Sequence, residues 1–437
     1  MPKTFLGGVH PPYFKELARK SPIRPLPAPP EVIIPLIQHT GSPCLPAVKA
    51  GDNVRVGTLI GKSEKFISAN IHSSLSGKVK AIKKADHPVI GKCDSVFIES
   101  NEKDEIEKPV WAYAGDIERL TPDDLRNIIR EAGIVGLGGA AFPTHVKLSP
   151  PKEKPIDVFI LNGAECEPYL TCDERVMIER PREVLEGAFL IMKVIGAEKG
   201  FIAIEDNNPE AIDAVRSALR ALRTKSSSIS IIILSTKYPQ GGEKQLIKAI
   251  LKRDVPAGGL PFDVGCIVDN VQTALAVYEA VYKAKPLYER VITVTGEAVK
   301  EPSNLLVRIG TPISYILEKC GGLRKPLAKV IMGGPMMGIA QYTVDVPVIK
   351  GTSGIVCLSE DEIYEPEEEA CIRCGKCIEV CPMGLVPATI MHLVKNERFK
   401  EAGALGVMHC FECGACTYEC PAKIPLLDYM KFGKSKL

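Results

Sequence analysis

What this chain lacks narrows its class before any motif is read. None of its 437 residues belong to an apolar run of the roughly 18 or more that a membrane-spanning helix needs, so no such helix is expected. Its 55 Lys+Arg against 53 Asp+Glu leave a net charge of +2, which gives no electrostatic footprint for nucleic acid. The opening stretch around Phe5, Leu6, Gly7 and Gly8 holds no apolar core run, so no secretory leader is expected. Cysteine, by contrast, is abundant, with fifteen in the chain. Seven of them (Cys44, Cys93, Cys166, Cys172, Cys266, Cys320 and Cys357) follow no framework spacing, and the odd remainder argues for reduced thiols and a cytoplasmic setting. A hydrophobic share of 45% with 25% charged residues is that of an ordinary globular protein, long enough for several domains.

The other eight cysteines form two copies of one pattern, C-x2-C-x2-C-x3-C-P. The first is Cys371, Cys374, Cys377 and Cys381 before Pro382; the second is Cys410, Cys413, Cys416 and Cys420 before Pro421. This is the bacterial ferredoxin ligand run, in which three closely spaced thiolates grip one cubane and the fourth reaches the partner cluster. Crossed ligation assigns Cys371, Cys374, Cys377 and Cys420 to one [4Fe–4S] centre and Cys410, Cys413, Cys416 and Cys381 to the other. Two zinc sites are the competing reading, but zinc takes its thiolates as separated C-x2-C pairs.

Ahead of this region the texture changes several times. Residues 1–40 are proline-dense, with Pro22, Pro25, Pro27, Pro29 and Pro30 crowded together, and are expected to wrap extended over another surface. Between 41 and 99, alternating runs broken by glycines predict small antiparallel strands, in two halves that resemble the barrel-sandwich hybrid of lipoyl carriers. Lys65 lies between the halves without the Asp-Lys-Ala or Met-Lys-Met setting of a modified lysine, so a structural, unmodified module is predicted. The polar stretch Glu99 to Lys108 reads as a linker. From 115 to 285, strands over 156–161, 201–204 and 229–234 alternate with helices over 182–195 and 209–222, the pattern of an α/β domain. A β-grasp-like insert is expected over 290–350, where Met332, Met336 and Met337 fill a core or interface. The acidic run from Glu360 to Glu369 borders a mainly helical cluster domain over 360–437, with one helix expected over 388–400.

Three loops in the α/β region carry chemistry. Thr121, Pro122, Asp123 and Asp124 start a helix that ends at Gly133, and a glycine loop follows at Gly136, Gly138 and Gly139. It matches G-x-G-x-x-A literally, but a helix rather than a strand precedes it, so a structural turn competes with a phosphate-binding role. A second glycine loop, Tyr238 to Lys244, joins a strand's carboxyl end to a helix N-terminus, where α/β folds bind phosphate-bearing ligands. The loop from Asn162 to Tyr169 places Glu165 and Glu167 at another strand end, either to bond sugar hydroxyls or as a solvated acidic turn.

The segment Gly136 to Lys147 resembles the flavin loop of the NADH-oxidising flavoprotein of respiratory complex I. Asn162 to Pro168, Tyr238 to Glu243 and Asp269 to Thr273 are similar to three further motifs of that family, in the same order. With the N-terminal segments and the doubled cysteine run, the whole chain resembles the C subunits of Rnf (Rsx) electron-transport complexes. The resemblance implies FMN on Gly136, Gly138, Gly139, Lys147, Asn162, Glu165, Tyr238, Gly241, Gly242, Asn270 and Thr273. NADH would stack over it against Phe142, with Glu167 and Glu243 as the catalytic-side contacts to the nicotinamide ribose. Ala164 and Gly242 depart from the complex I pattern, which has acidic residues there. The resemblance further implies other Rnf-type subunits as partners (a ferredoxin-like one and integral membrane ones), ferredoxin indirectly, and a peripheral place on the cytoplasmic side of the bacterial inner membrane. Two alternatives stay open: a corrin reductase of bacterial microcompartments, and a non-catalytic iron–sulfur electron-transfer scaffold.

Overall fold

The computed structural model describes residues 2–113, 115–222, 228–364 and 367–437; Glu365 and Pro366 of the acidic border lie outside them. The centre of the molecule is a parallel four-stranded sheet in the order Ile229–Leu234, Lys199–Glu205, Val158–Gly163, Cys266–Asn270. Val158 to Leu161 are all buried, as befits a strand covered by helices on both faces. The helices Pro181–Ile195, Pro209–Ala221 and Glu243–Leu251 make the connections. The last strand returns to the far side of the first, so the strand order reverses between Val158–Gly163 and Cys266–Asn270. In open α/β sheets the ligand crevice lies at such a reversal, beyond the carboxyl ends of the two strands. Helix Pro181–Ile195 crosses Val271–Lys283 closely enough that any Cβ on Gly187 would strike the carbonyl of Ala274.

The glycine loop is launched by helix Pro122–Glu131, whose Thr121 and Asp124 form a reciprocal capping box as the sequence predicts. The barrel-sandwich module has a four-stranded and a three-stranded sheet. Its first strand, Glu31–Pro35, pairs with Gly91–Ser100 and so lies within the proline-dense stretch. A six-stranded mixed sheet follows the α/β domain, and its central strand Gly354–Ser359 lies beyond residue 350. Ile23–Pro25 adds to its edge beside Ser303–Arg308, a position where a proline is tolerated.

The proline-dense stretch thus wraps over other surfaces as expected and forms a strap. Lys3 bonds the backbone of Ile233, Gly8 donates to Val380 at 2.8 Å, and Val9 pairs with Tyr238. The cluster domain is mainly helical, but the helix expected over 388–400 is two, Pro387–Lys395 and Phe399–Ala404. Glu397 between them has φ +55°, which no helix accommodates.

Candidate flavin and iron–sulfur sites

Four chain segments converge on the crevice. Leu137 N–H donates to the Thr273 hydroxyl at 2.9 Å, which pins the glycine loop to the start of helix Val271–Lys283. Asn270 caps that helix by accepting from Gln272 N–H at 2.8 Å, and its amide donates to Asp173. A Cβ on Gly138 would lie 3.3 Å from that of Asn270, so the loop backbone lies directly against the strand end. Gly139 has φ +110° and open space where a Cβ would point. Among the described residues the N–H groups of Gly138 and Gly139 have no protein acceptor. Asn162 ties the other side, donating to the Gly241 carbonyl at 2.9 Å and accepting from Ala164 N–H at 3.0 Å.

Lys147 reaches in from the short helix Thr144–Lys147 and pairs with Glu243 at 2.8 Å and Asp269 at 3.7 Å. Burial alone would lower its pKa, but the two carboxylates together hold it above the usual lysine value. Asp269 is 3% exposed, and its Oδ2 has no partner. Burial pushes its carboxyl up to about 6. An orphaned buried oxygen, bare glycine N–H groups and an open approach over Gly139 fit a flat polar ligand with an anionic end, which FMN is. Asp269 escapes the sequence reading as a site residue, although it opens the quoted Asp269 to Thr273 motif.

Three expected ligand contacts are engaged otherwise in this structure. Glu165 turns inward: its carboxylate accepts from the N–H of Asp173 and Glu174 at 3.0 and 3.2 Å, at the start of helix Cys172–Glu179, with the Lys15 ammonium 3.8 Å away. Glu167 also leaves the crevice and accepts from Met336 and Met337 N–H at 3.0 and 2.8 Å. Gly334 is obligatory there, because a Cβ would collide with the Glu167 carboxylate. Burial raises both glutamates to about 7. Tyr238 is fully buried, and its hydroxyl donates to the Cys413 carbonyl at 2.7 Å, on the cluster side of its loop. Gly242 precedes helix Glu243–Leu251 as its N-cap, and Gly241 N–H donates to Cys166 Sγ at 3.3 Å. Phe142 is half-buried; its carbonyl accepts from Gly136 N–H at 2.8 Å.

The cysteine motifs fold as two matching loops. Arg373 and Glu412 both take positive φ (+56° and +65°), and Gly375 and Gly414 both take the left-handed conformation that starts the short helices Lys376–Glu379 and Ala415–Tyr418. Cys377 and Cys420 lie in one buried cluster that Cys416 of the second run also joins and Cys371 packs against, and Cys371, Cys374 and Cys420 all face Cys377 electrostatically. Cys381, Cys410, Cys413 and Cys416 line a common cavity with Pro382, Met383 and Phe411. Two four-thiol sets grouped in this way would hold two cubanes under the crossed assignment. Val9, Cys166, Tyr238, Cys413 and Ala415 form one buried apolar cluster with Phe411 and Met336 against it. This joins the second glycine loop directly to the thiol set containing Cys413. Cys374, in the other set, is exposed.

The fold and sites define a multidomain flavin- and iron–sulfur-binding protein. Family models match residues 3–103 (RnfC barrel sandwich hybrid domain), 129–279 (Nuo51 FMN-binding domain), 291–340 (SLBB domain) and 364–421 (4Fe-4S dicluster domain). The chain is 46% identical over 437 residues to the C subunit of the proton-translocating ferredoxin:NAD(+) oxidoreductase complex of Clostridium ljungdahlii, covering all of this chain and 94% of that protein. It is 44% identical to the C subunit of the Na(+)-translocating ferredoxin:NAD(+) oxidoreductase complex of Acetobacterium woodii, over 99% of this chain and 97% of that one. It is 39% identical to the C subunit of the ion-translocating oxidoreductase complex of Rhodobacter capsulatus, over 99% and 82%. A crystal structure of an NAD+-reducing [NiFe]-hydrogenase in the H2-reduced state shares the fold, with TM-score 0.51 and 16% identity over 76% of this chain and 69% of that one. The chain belongs to the Rnf family of ion-translocating oxidoreductase C subunits.

Proposed function

We propose that this chain oxidises NADH and passes the electrons on singly, as the FMN- and [4Fe–4S]-bearing subunit of a membrane complex that couples NAD(H) and ferredoxin to ion translocation. The observation that carries this is contiguity: the crevice and the Cys381, Cys410, Cys413 and Cys416 set meet through Tyr238 in one buried contact. Bound FMN supplies the change from a two-electron hydride to single electrons. Gly138 and Gly139 offer N–H groups to its polar atoms, and Lys147 neutralises charge there while Glu243 fixes its position. Asp269 presents its free oxygen to a donor on the flavin or nucleotide. Phe142, half-exposed beside the loop, gives the nucleotide a stacking face. The set with Cys413 would hold the cluster beside the crevice, and the set with exposed Cys374 would hold the one nearer solvent, each supplying one-electron chemistry.

Among the described residues no helix is long and apolar enough to cross a membrane, so attachment runs through other subunits. Those are a ferredoxin-like subunit and integral membrane subunits, met on the cytoplasmic face. The test is anaerobic mixing of the reconstituted protein with NADH while flavin bleaching is followed, with artificial acceptors draining the clusters. Bleaching by NADH is expected; flavin that bleaches with dithionite but never with NADH overturns the dehydrogenase reading.

A further inference from the structure

Two cations are buried behind the first glycine loop, and neither has an anionic partner within ion-pair distance among the described residues. Arg290, 3% exposed at the second position of strand Glu289–Thr295, donates to the Lys350 carbonyl, to the Leu137 carbonyl at 3.1 Å and to the Val291 carbonyl at 3.4 Å. Lys350, 1% exposed, donates to the carbonyls of Asn70 and Gly133, each at 2.6 Å. Both side chains come from outside the α/β domain, and between them they hold the two ends of Gly133 to Leu137, the backbone that leads into Gly138 and Gly139. The carboxylate facing Arg290 is Asp173, which is already bonded to Asn270 and Gln272. Burial pulls Arg290 below its ordinary value and Lys350 down to about 7.

Buried charges are normally paired, because removing a charge from water without a partner is costly. Arg290 satisfies its donors with neutral carbonyls and leaves its charge directed at the loop, and Lys350, pulled down to about 7, adds to that charge where it is protonated. Carbonyl bonds would serve equally well from neutral donors if holding the loop were the whole role.

We propose that Arg290, with Lys350 beside it, is a positioning residue that holds the flavin loop from behind and biases the flavin bound there toward its reduced, more negative form. This rests on the flavin reading of the crevice but not on NADH as the reductant. A unit charge one residue behind the loop, only partly screened, corresponds to about a tenfold change in the ratio of reduced to oxidised flavin bound.

The experiment is equilibrium dialysis of the full-length, cluster-loaded protein against oxidised FMN and against dithionite-reduced FMN, for wild type, R290Q, R290K and K350M. R290Q should lower the preference for reduced over oxidised FMN about tenfold, R290K should preserve it, and K350M should lower it in the same direction. A purely structural hold would weaken both forms alike, so an unchanged ratio in R290Q overturns the proposal. Should R290Q bind neither form, an unchanged ratio in K350M well below pH 7, where Lys350 is protonated, does so instead. Wild-type protein that binds neither form would defeat the flavin reading itself, a separate outcome.

Discussion

Replacing Tyr238 by phenylalanine removes one hydroxyl from the junction between the crevice and the cluster domain. The ring stays: it is 1% exposed and packed among Val9, Cys166 and Ala415. What is lost is the 2.7 Å bond to the Cys413 carbonyl, which has no other donor among the described residues. Leaving a buried carbonyl unpaired costs about 1–3 kcal/mol, and at about 1.4 kcal/mol per tenfold the open, undocked population should rise between roughly fivefold and 150-fold. Amide exchange reads this directly. Tyr418 and Glu419, whose N–H groups bond Gly414 and Ala415, should exchange faster by that factor, while Phe159 to Leu161 in the central sheet should not. FMN content should be unchanged, since the hydroxyl faces the cluster domain. Loss of FMN with unaltered exchange at 414–420 would refute this and return the Tyr238 hydroxyl to the flavin.

Gly334→Ala should expel the Glu167 carboxylate from its two backbone donors and destabilise the fold by a few kcal/mol, at about 1.5–3 kcal/mol for each charged hydrogen bond, measured by denaturant unfolding. Glu167 itself has a pH signature: its carboxyl is raised by burial from 4.5 to about 7, so its contribution to stability is present below the lower value and is lost as pH climbs through about 7. Glu167→Gln should therefore flatten the fall in Tm across that window; an unchanged slope would mean that the carboxyl titrates normally. Cys381→Ser should damage the cluster of Cys410, Cys413 and Cys416 more than that of its sequence neighbours, as judged by low-temperature EPR of the reduced protein. Gly138→Val, pressing branched carbons toward Asn270, should abolish FMN binding in reconstitution assays; retained flavin would remove that loop from the site.

The sequence is most legible where chemistry forces spacing. A cubane needs thiolates at short fixed intervals, so the two cysteine runs could be read outright as a two-cluster domain. A glycine loop between a strand end and a helix start is nearly as plain, and Ile229–Leu234 leading to Glu243–Leu251 follows it. The strand Cys266–Asn270 is harder to read, because it passes into helix Val271–Lys283 with Asn270 serving both as strand end and cap, and no turn residues mark the change. That strand creates the reversal in strand order, so the crevice itself was not visible. Charged residues mislead for a different reason. Glu165 and Glu167 look like ligands for sugar hydroxyls, but their partners are N–H groups of a helix start and of a glycine-rich turn more than 160 residues away, which no local pattern announces. Arg290 and Lys350 are silent for the same reason, since carbonyl oxygens leave no mark in the sequence.

The N-terminal strap has a consequence for how the protein is made. Ala18 accepts from Asn304 across 286 residues, and Lys3 from its side chain reaches the Ile250 carbonyl across 247. At synthesis rates of about 5–20 residues per second, the strap waits roughly 15–60 seconds for the partners of Ala18 to leave the ribosome. Its bond from Gly8 to Val380 must wait longer still, because Val380 lies between the third and fourth cysteines of the first run. The segment made first is thus among the last to dock.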